Sequence, residues 1–273
     1  MNSSSSTSPK AKKCVLVTGA AKRVGRAIAI HFAEQGWDVA VHYGKSKAEA
    51  DETVTAIQKL GSRAMAFQAD LASESEITVL FHAVTTNMGA LDCIVNSASQ
   101  FEYDRASAEP QLINAAFFQK MMQVNVLTPV LLAQLLYGQQ KSKAVDSTSG
   151  GDIPVVIQLL DQKLINLNPD YFSYTVSKSA LECASQMMAM DFAPYLRVVG
   201  LAPGISLPSG PQSEDGFKAA HTMTPLKRSS TPIDIAKTAV FIAESNAITG
   251  TTIYVDGGQH LMPSSRDVMF KTE

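Results

Sequence analysis

Tyr174 and Lys178 are the residues whose types and spacing most directly suggest chemistry. They lie four positions apart in a stretch with helical periodicity, so both side chains are expected on one face of a helix. A lysine ammonium beside a phenol favours the phenolate and is expected to lower its pKa, which would make the pair a proton donor or acceptor near neutral pH. Since such a pair occurs by chance in many helices, its meaning depends on the motifs around it.

The stretch TGAAKRVG, residues 18–25, is a candidate phosphate-binding loop. It follows the apolar run CVLV and precedes the helical pattern VGRAIAIHFAEQG, which is the context that a glycine-rich loop requires. Gly19 would let the chain turn sharply, Gly25 would let the helix begin close to the strand, and helical N–H groups would hold a pyrophosphate. Arg23 stands where the usual pattern has a second glycine, so together with Lys22 it offers positive charge to a further phosphate.

The second predicted strand ends in VHYGKS, residues 41–46, where an NAD-preferring site would place an acid for the ribose hydroxyls. This turn has no acid. Arg23, Lys45 and Ser46 could instead bind a 2′-phosphate through charge-assisted hydrogen bonds. The sequence therefore favours NADP(H) over NAD(H) as the cofactor, and the alternative interpretation is a solvated basic turn.

Short apolar runs that alternate with longer amphipathic stretches position these groups. Continuous apolar strands flanked by helices predict a parallel sheet covered on both faces, hence the α/β class and a single doubly wound Rossmann domain of about seven strands. Ser73 with Glu76 predicts a capping box, Thr231 with Pro232 a helix start, and Pro129 a helix break. The predicted helices are 24–36, 47–61, 73–89, 113–138, 171–194 and 231–245, and the predicted strands are 14–18, 37–43, 63–70, 91–99, 153–160, 196–204 and 251–258.

Composition narrows the class of protein. The 273 residues are 45% hydrophobic and 18% charged with a net charge of −2, which suits one globular domain and gives no field for nucleic acid or an anionic membrane. The three cysteines and five histidines show no disulfide or metal-ligand spacing, so a reducing, cytoplasmic compartment and no metal are expected. Residues 1–12 are predicted to be a disordered tail before the domain 13–273. CVLV is too short for a secretory signal, and no window is expected to reach membrane-span length.

Taken together, the motifs resemble those of the short-chain dehydrogenase/reductase superfamily over residues 13–261. They follow that superfamily's order: TGAAKRVG, QADL (68–71), NSAS (96–99), Asn125 in a helix, YTVSK (174–178) and APG (202–204). The resemblance also implies a homotetramer in which the long helices around 113–137 and 171–193 pack between subunits.

The resemblance assigns roles to individual residues. Tyr174, Lys178 and Asn125 would be catalytic; Asn125 would order a proton-relay water, and Lys178 would also hold the nicotinamide ribose. Asp70 would bind the adenine, and Asn96 would line the cofactor site. The full implied cofactor-binding set is Gly19, Lys22, Arg23, Val24, Gly25, His42, Tyr43, Lys45, Ser46, Asp70, Leu71, Asn96, Ser97, Ala98, Tyr174, Lys178, Pro203, Gly204, Ile205 and Ser206.

One catalytic position departs from the superfamily. Its members usually carry a serine thirteen residues before the tyrosine, to polarise a substrate carbonyl, whereas this chain has Asp161 there. A carboxylate repels a developing alkoxide, so ordinary ketone reduction is disfavoured. An Asp beside apolar walls could instead have a raised pKa and supply a proton to a ring nitrogen. The alternative is a strand-end carboxylate that is bonded to backbone amides.

This departure resembles pteridine reductases and dihydromonapterin reductases. Those proteins also have Arg at the middle position of the glycine loop, their NNASSF resembles NSASQF (96–101), and PGISLP (203–208) resembles the start of their substrate loop, here 205–224. The resemblance implies that Phe101 sandwiches a pterin against the nicotinamide; the alternative is a core aromatic. Ser97 departs from the second asparagine of that motif. The implied substrate-binding set is Arg23, Ser99, Phe101, Asp161, Tyr174, Leu207 and Pro208.

The sequence therefore predicts a cytoplasmic, NADPH-dependent pterin reductase. A hydride would pass to a pterin ring carbon, and Asp161 or the Tyr174–Lys178 pair would protonate the adjacent nitrogen. Two alternatives stay open. One is a carbonyl or enoyl reductase of the same superfamily, and the other is a non-catalytic NADP(H)-binding sensor.

Overall fold

A computed structural model describes residues 12–107, 112–144, 152–208 and 212–272 of the chain. All of the predicted tail 1–12 except Lys12 lies outside these ranges, as do residues 209–211 of the predicted substrate loop. The strands are β1 (Cys14–Val17), β2 (Asp38–Tyr43), β3 (Ala64–Gln68), β4 (Cys93–Asn96), β5 (Val155–Leu159), β6 (Arg197–Pro203) and β7 (Thr252–Val255).

These seven strands form one sheet in the order β3-β2-β1-β4-β5-β6-β7, and every neighbouring pair is parallel. The order reverses between β1 and β4, because the chain returns to the middle of the sheet after β3. The predicted fold class, a doubly wound α/β sheet of about seven parallel strands, is confirmed.

Helices cover both faces of the sheet. They are α1 (Arg23–Glu34), α2 (Lys47–Lys59), α3 (Glu74–Met88), α4 (Ala115–Met122), α5 (Thr128–Ala144), α6 (Phe172–Asp191), α7 (Glu214–Thr222) and α8 (Pro232–Glu244). The sequence patterns predicted all of these except α7, which lies inside the segment 205–224 that was expected to be a loop. α7 is only nine residues long, and a serine cap starts it: Ser213 accepts from the Gly216 N–H.

Two hydrophobic cores result from the alternation of side chains along each strand. On β1, Val15 and Val17 face one core, which α1, α2 and α8 close, while Leu16 faces the other, which α3, α5 and α6 close. Strands with both faces covered must be apolar at every position, which explains their continuous hydrophobic runs.

The N-terminal caps of α8 and α3 lie where the sequence predicted them, but only α8 has a complete capping box. Thr231 and Asp234 complete a capping box at α8 with Pro232 at its first position. Ser73 caps α3 by accepting from the Glu76 N–H, but the Glu76 carboxylate accepts from the Asp70 N–H at 2.7 Å instead of closing the predicted box.

The predicted break near Pro129 is a π-helical turn, Gln123–Leu127, between α4 and α5. Proline has no N–H and cannot continue the α-helical ladder, and the Thr128 N–H instead bonds the Gln123 carbonyl five residues back. π-helical turns often occur at functional sites, and this one carries Asn125.

The expectation that no window reaches membrane-span length was wrong. The continuous helical stretch Ala115–Lys143 is long and apolar enough by length and composition. However, 44% of its most apolar window is buried inside the protein, where Leu132 and Leu136 pack into the second core. A core helix passes the same test for length and apolarity.

Candidate active site

A groove of about 600 Å³ runs along the carboxyl edge of the sheet, at the point where the strand order reverses between β1 and β4. Doubly wound sheets bind ligands at this position, because the loops on either side leave in opposite directions and open a crevice. The glycine loop forms one end of the groove, and the turns after β4, β5 and β6 form the other. Ser97 and Ala98, which follow β4, line the part between the two ends.

The glycine loop is built by close backbone contacts. Gly19 has φ +64°, and a Cβ there would lie 3.0 Å from Ala98 Cα. A Cβ on Gly25 would lie only 2.4 Å from the Gly19 carbonyl oxygen, so no side chain fits. Arg23 has φ +54°, in the left-handed region that favours glycine, which explains why a glycine is usual at this position. The first turn of α1 contains no acid, so its N–H groups are free of a competing anion.

The basic residues of this end differ in their surroundings. Arg23 Nη2 donates to the Pro208 carbonyl at 2.9 Å and so links the glycine loop to the substrate loop. Lys22 pairs with Glu49 at 2.6 Å, which means that an acid does lie beside the turn predicted to bind a 2′-phosphate. Lys45 is exposed and Ser46 is half-buried just before α2, at the edge where both were expected.

His42 does not face the groove, which corrects its predicted contact with the cofactor. Its side chain is 2% exposed, and burial lowers the pKa to about 4, so the ring is neutral. Nδ1 accepts from the Gly19 N–H at 3.1 Å, and Nε2 therefore carries the proton and donates to the Ala69 carbonyl at 3.2 Å. His42 supports the glycine loop from behind.

The predicted adenine end lies one and two strands further along. Tyr43 ends β2 and is half-buried, while Asp70 follows β3 and is exposed. Asp70 Oδ1 accepts from the Ala72 N–H at 2.9 Å, and Leu71 is buried beneath this turn. These side chains lie at the same edge of the sheet as the groove.

Asp161 and Tyr174 meet at the other end of the groove. The Tyr174 hydroxyl donates to Asp161 Oδ2 at 3.0 Å, and Asp161 Oδ1 accepts from the Lys163 N–H at 2.9 Å. Lys178 is 3% exposed; its Nζ donates to the Leu159 carbonyl at 2.6 Å and lies 5.7 Å from the centre of the Tyr174 ring. Both interpretations of Asp161 are therefore partly right: one oxygen is held by a backbone amide, and the other faces the tyrosine in the groove.

Burial dominates the protonation of this group. It raises the pKa of Asp161, as predicted, because the charged carboxylate loses water; the Lys163 N–H and ammonium oppose that effect. Burial also lowers the pKa of Lys178 to about 8. The prediction for Tyr174 was wrong in direction: burial and the Asp161 carboxylate raise its pKa well above the ordinary value. Burial is the larger cause, and the Asp161 carboxylate, which stands where the superfamily usually has a serine, adds to it.

Two predicted polar residues lie behind the wall of the groove. Asn125 is 1% exposed; its Oδ1 accepts from the Gln100 N–H at 2.8 Å, and its Nδ2 donates to the Gln100 carbonyl and Ser177 Oγ. It fixes the turn that carries Ser99, whose hydroxyl also bonds Asn125 Oδ1. Asn96 is buried against Gln158 on the adjacent strand, and among the described residues its Oδ1 has no hydrogen-bond partner. Neither side chain is exposed in the groove.

Phe101 is an exposed wall of the groove, which excludes the core alternative. It is 43% exposed, stacks on Tyr171 with ring centres 4.4 Å apart, and meets the Tyr174 ring edge-on at 4.7 Å. Tyr171 stands just before α6, with φ +55°. An aromatic surface thus lies directly beside the Asp161–Tyr174 hydrogen bond.

The turn after β6 borders the groove as predicted. Gly204 is crowded, because a Cβ there would lie 2.6 Å from Ser229 Oγ and 2.7 Å from Asp256 Cβ. The other predicted residues of this turn that line the groove are Pro203, Ile205, Ser206 and Leu207. Pro208 contributes the carbonyl that Arg23 holds.

Several residues that line the groove were not predicted from the sequence, because they reach the site only when distant parts of the chain fold together. The groove is also lined by Leu160, Gln162, Lys163, Tyr171, Gln212, Gln259, Asp267, Val268 and Met269. Lys163 could have been suspected, since it lies two residues after Asp161. No motif marks the C-terminal residues, which ion pairs, a hydrogen bond to Asp170 and packing against Tyr171 hold beside the groove.

Comparison with known proteins gives the class. A family model described as Enoyl-(Acyl carrier protein) reductase matches residues 19–260. An uncharacterized oxidoreductase of Methylorubrum extorquens is 34% identical over 257 residues, which cover 90% of this chain and 97% of the relative. The 7alpha-hydroxysteroid dehydrogenase of Escherichia coli is 31% identical over 252 residues, covering 90% and 93%.

A solved structure is similar in both fold and sequence. The crystal structure of FolM alternative dihydrofolate reductase 1 from Brucella canis, complexed with NADP, has a TM-score of 0.82 and 33% identity, covering 93% of this chain and 96% of that one. The chain belongs to the short-chain dehydrogenase/reductase superfamily, as its motifs predicted.

Proposed function

We propose that this protein is an NADPH-dependent reductase of pterins that converts dihydropterins to tetrahydropterins, with oxidised pterin or dihydrofolate as further substrates. The observation that carries the proposal is the hydrogen bond from the Tyr174 hydroxyl to the Asp161 carboxylate at 3.0 Å. This pair faces a groove with an exposed aromatic wall, Phe101. The Brucella relative is named a dihydrofolate reductase, which supports a pterin ring as the substrate.

The chain's own residues fit NADP(H). Gly19 and Gly25 leave no room for a Cβ, so the backbone of the loop can approach a pyrophosphate at the start of α1. Arg23 and Lys45 would meet the 2′-phosphate, and Lys178 would hold the nicotinamide ribose. The Brucella neighbour was solved with NADP, which supports the same cofactor here.

A flat heterocycle suits the substrate end. Phe101 is exposed in the groove and stacks on Tyr171, which also lines it, so the two rings offer an aromatic surface for a planar ring. Arg23 lies at the junction of the two ends and would contact both the cofactor phosphate and the pterin. Leu207 and Pro208 would close the groove over the substrate, and Ser99 would border it.

The residues around Asp161 supply and relay a proton. NADPH, when bound, supplies a hydride to a carbon of the pterin ring. Burial raises the pKa values of Asp161 and Tyr174, which favours their protonated forms, so Asp161 can give a proton to the adjacent ring nitrogen and Tyr174 can replace it. The Lys178 ammonium then offsets the negative charge left on the pair. Hydride and proton together saturate one C=N bond.

A carbonyl or enoyl reductase is the second candidate. The family model is described as an enoyl reductase, and the E. coli relative is a hydroxysteroid dehydrogenase. Asp161 disfavours this reading, because a carboxylate beside the tyrosine repels the oxyanion that carbonyl reduction creates. A non-catalytic NADP(H) sensor is a third candidate, and the hydrogen-bonded Tyr174 within 6 Å of Lys178 argues against it.

NADPH oxidation followed at 340 nm tests the choice. Purified protein is given 7,8-dihydrobiopterin, dihydromonapterin, dihydrofolate, a ketone and an acetoacetyl thioester in parallel. Turnover of the dihydropterins at least tenfold faster than of the ketone and thioester would support the proposal. Turnover confined to the ketone or thioester would support the second candidate, and tight NADPH binding without any turnover would support the sensor.

A cytoplasmic homotetramer is part of the same proposal. The exposed side of α6 presents Met187 and Met190, which are 64% and 82% exposed, as a surface that a second subunit could cover. Light scattering on the purified protein should give four times the chain mass of 29.2 kDa. A mass equal to one chain would contradict the homotetramer.

A further inference from the structure

Lys163 is a buried charge beside the groove that the proposed chemistry leaves unused. It is 4% exposed, and its Nζ donates to Asp267 Oδ2 at 2.9 Å and to the Asp170 carbonyl at 2.8 Å. Its backbone N–H holds Asp161 Oδ1 at 2.9 Å. One residue therefore fixes one oxygen of the candidate proton donor and pairs with a carboxylate on the opposite wall of the groove.

Asp267 is held as firmly as Lys163. Its N–H donates to Asp170 Oδ2 at 2.8 Å, and its Oδ1 accepts from the Met269 N–H at 3.1 Å. Arg266 Nε donates to the same Asp170 oxygen at 2.8 Å. These bonds tie the C-terminal segment to the turn after β5, and Lys163 and Asp267 both line the groove with Asp161.

Stability alone does not account for this ion pair. Burying two charges costs free energy that their attraction only partly offsets, and apolar side chains of similar volume often serve as well. Asp170 and Arg266 already anchor the C-terminal segment. The Lys163–Asp267 pair beside Asp161 is therefore expected to do more than attach the C-terminal segment.

We propose that the Lys163–Asp267 ion pair is a positioning pair, which orients the Asp161 carboxyl and balances the charge around it so that Asp161 is a proton donor at working pH. The inference rests on the proposed pterin reduction, because it assigns a purpose to the proton on Asp161. Neither residue needs to contact the substrate.

Lys163 and Asp267 carry opposite charges, so they are expected to change the pKa of Asp161 in opposite directions. Tyr174 and Lys178 face it from α6, Arg23 lines the groove from the glycine loop, and His260 on the turn 259–261 is paired with Asp256 at 2.8 Å. Burial raises the pKa of Asp161, Lys163 lowers it, and Asp267 raises it. Losing the lysine should therefore shift Asp161 one way, and losing the aspartate should shift it the other way.

Carbon-13 NMR of aspartate-labelled protein tests this directly. The Asp161 carboxyl resonance is assigned by its loss in Asp161→Asn and is titrated in the wild type, Lys163→Met, Asp267→Asn and Lys163→Arg. The midpoint should rise by about one pH unit in Lys163→Met and fall by about one in Asp267→Asn, since the loss of a charge that interacts with a carboxyl changes its pKa by about this much. Lys163→Arg keeps the charge and should keep the midpoint.

A matched control lies at the opposite edge of the sheet. Lys13→Met breaks the Lys13–Asp152 ion pair of 2.8 Å and should leave the Asp161 midpoint unchanged. The pH profile of kcat with 7,8-dihydrobiopterin should move in the same directions as the NMR midpoints. A pair that only held the C-terminal segment would lower the melting temperature without opposite shifts.

The outcomes separate the two proposals. A wild type that reduces no dihydropterin overturns the proposed function, whatever the NMR midpoints do. Midpoints that stay fixed, or that move in the same direction in both variants, overturn the positioning pair even if pterins are reduced. If Lys163→Met does not fold, as judged by circular dichroism, Asp267→Asn decides alone: a downward shift supports the pair, and an unchanged midpoint overturns it.

Discussion

The two ends of the groove are built in different ways. The cofactor end is a backbone structure: Gly19, Gly25 and the start of α1 lie within a few residues of one another, and His42 supports them from the next strand. The substrate end is a side-chain structure, in which Phe101, the neighbouring Asp161 and Tyr174, and Asp267 come from three distant parts of the chain. Steric exclusion governs the first end, and burial of charge governs the second.

This difference predicts how substitutions at each end should change cofactor binding and catalysis. A substitution of Gly19 or Gly25 at the cofactor end should weaken cofactor binding strongly, because the backbone there has no room for a Cβ. A substitution at the substrate end should change rate, substrate affinity or pH dependence while the cofactor still binds. The four predictions that follow test this contrast, and the largest effect comes first.

Gly25→Ala should weaken NADPH binding by about 100-fold, near the upper end of the about 1–3 kcal/mol that overpacking at a fixed backbone costs. Its Cβ would lie 2.4 Å from the Gly19 carbonyl oxygen. Fluorescence titration with NADPH measures the dissociation constant. Gly138→Ala is the control, since a Cβ there meets nothing within 4 Å. A dissociation constant for Gly25→Ala within about threefold of that for Gly138→Ala would contradict the steric account.

Phe101→Ala should raise the KM for dihydrobiopterin about 10-fold or more, since stacking of a flat base on an aromatic ring contributes about 1–3 kcal/mol. NADPH affinity should not change. Phe241→Ala removes another exposed aromatic, 56% exposed on α8, and should leave both constants unchanged. Equal losses of NADPH and pterin affinity in Phe101→Ala would break the separation between the two ends.

The rate should fall about tenfold per unit as pH rises beyond about 8, where the buried Lys178 loses its proton. Because burial places the folded-state pKa below the ordinary 10.5, the unfolded chain binds more protons between pH 8 and 10.5, and stability rises across that window. Relative to Lys178→Met, the wild type should gain up to about 3 kcal/mol between these pH values. Urea unfolding of both proteins at pH 7 and pH 10.5 measures the gain, and no gain would contradict the buried cation.

Lys45→Ala should raise the KM for NADPH only about three- to fivefold, because an exposed charge contributes about 1 kcal/mol in water. The KM for NADH should stay the same, and added salt should diminish the difference. Lys59→Ala, an exposed lysine at the end of α2, is the control. An equal effect of Lys45→Ala on NADPH and NADH would remove Lys45 from the 2′-phosphate site.

The contrast between the cofactor end and the substrate end also explains which features could be predicted from the sequence. The sheet, most helices and the glycine loop follow from local rules: apolar runs for strands, caps such as Thr231, and glycines at positions that exclude a Cβ. Those rules involve neighbours in the chain, so a single sequence contains them. The helix α7 was missed because it has only nine residues and follows a stretch rich in proline, serine and glycine that is typical of a loop.

The substrate end could be predicted only in part. The resemblance pointed to Asp161, Tyr174 and Phe101, and the structure brings these three side chains together. It could not give the direction of the Tyr174 pKa, because that depends on burial and on the carboxylate across the groove. The contact of Lys163 with Asp267 spans 104 residues, and no local pattern records such a pair.

The most direct test of the central claim is the ratio of kcat/KM for 7,8-dihydrobiopterin to that for a ketone, measured in the wild type and in Asp161→Ser. The account predicts a ratio well above one in the wild type that falls at least 100-fold in the variant, because serine restores a carbonyl-polarising hydroxyl and removes the proton donor. A ratio that is unchanged by the substitution, or a wild type that already prefers the ketone, would contradict it.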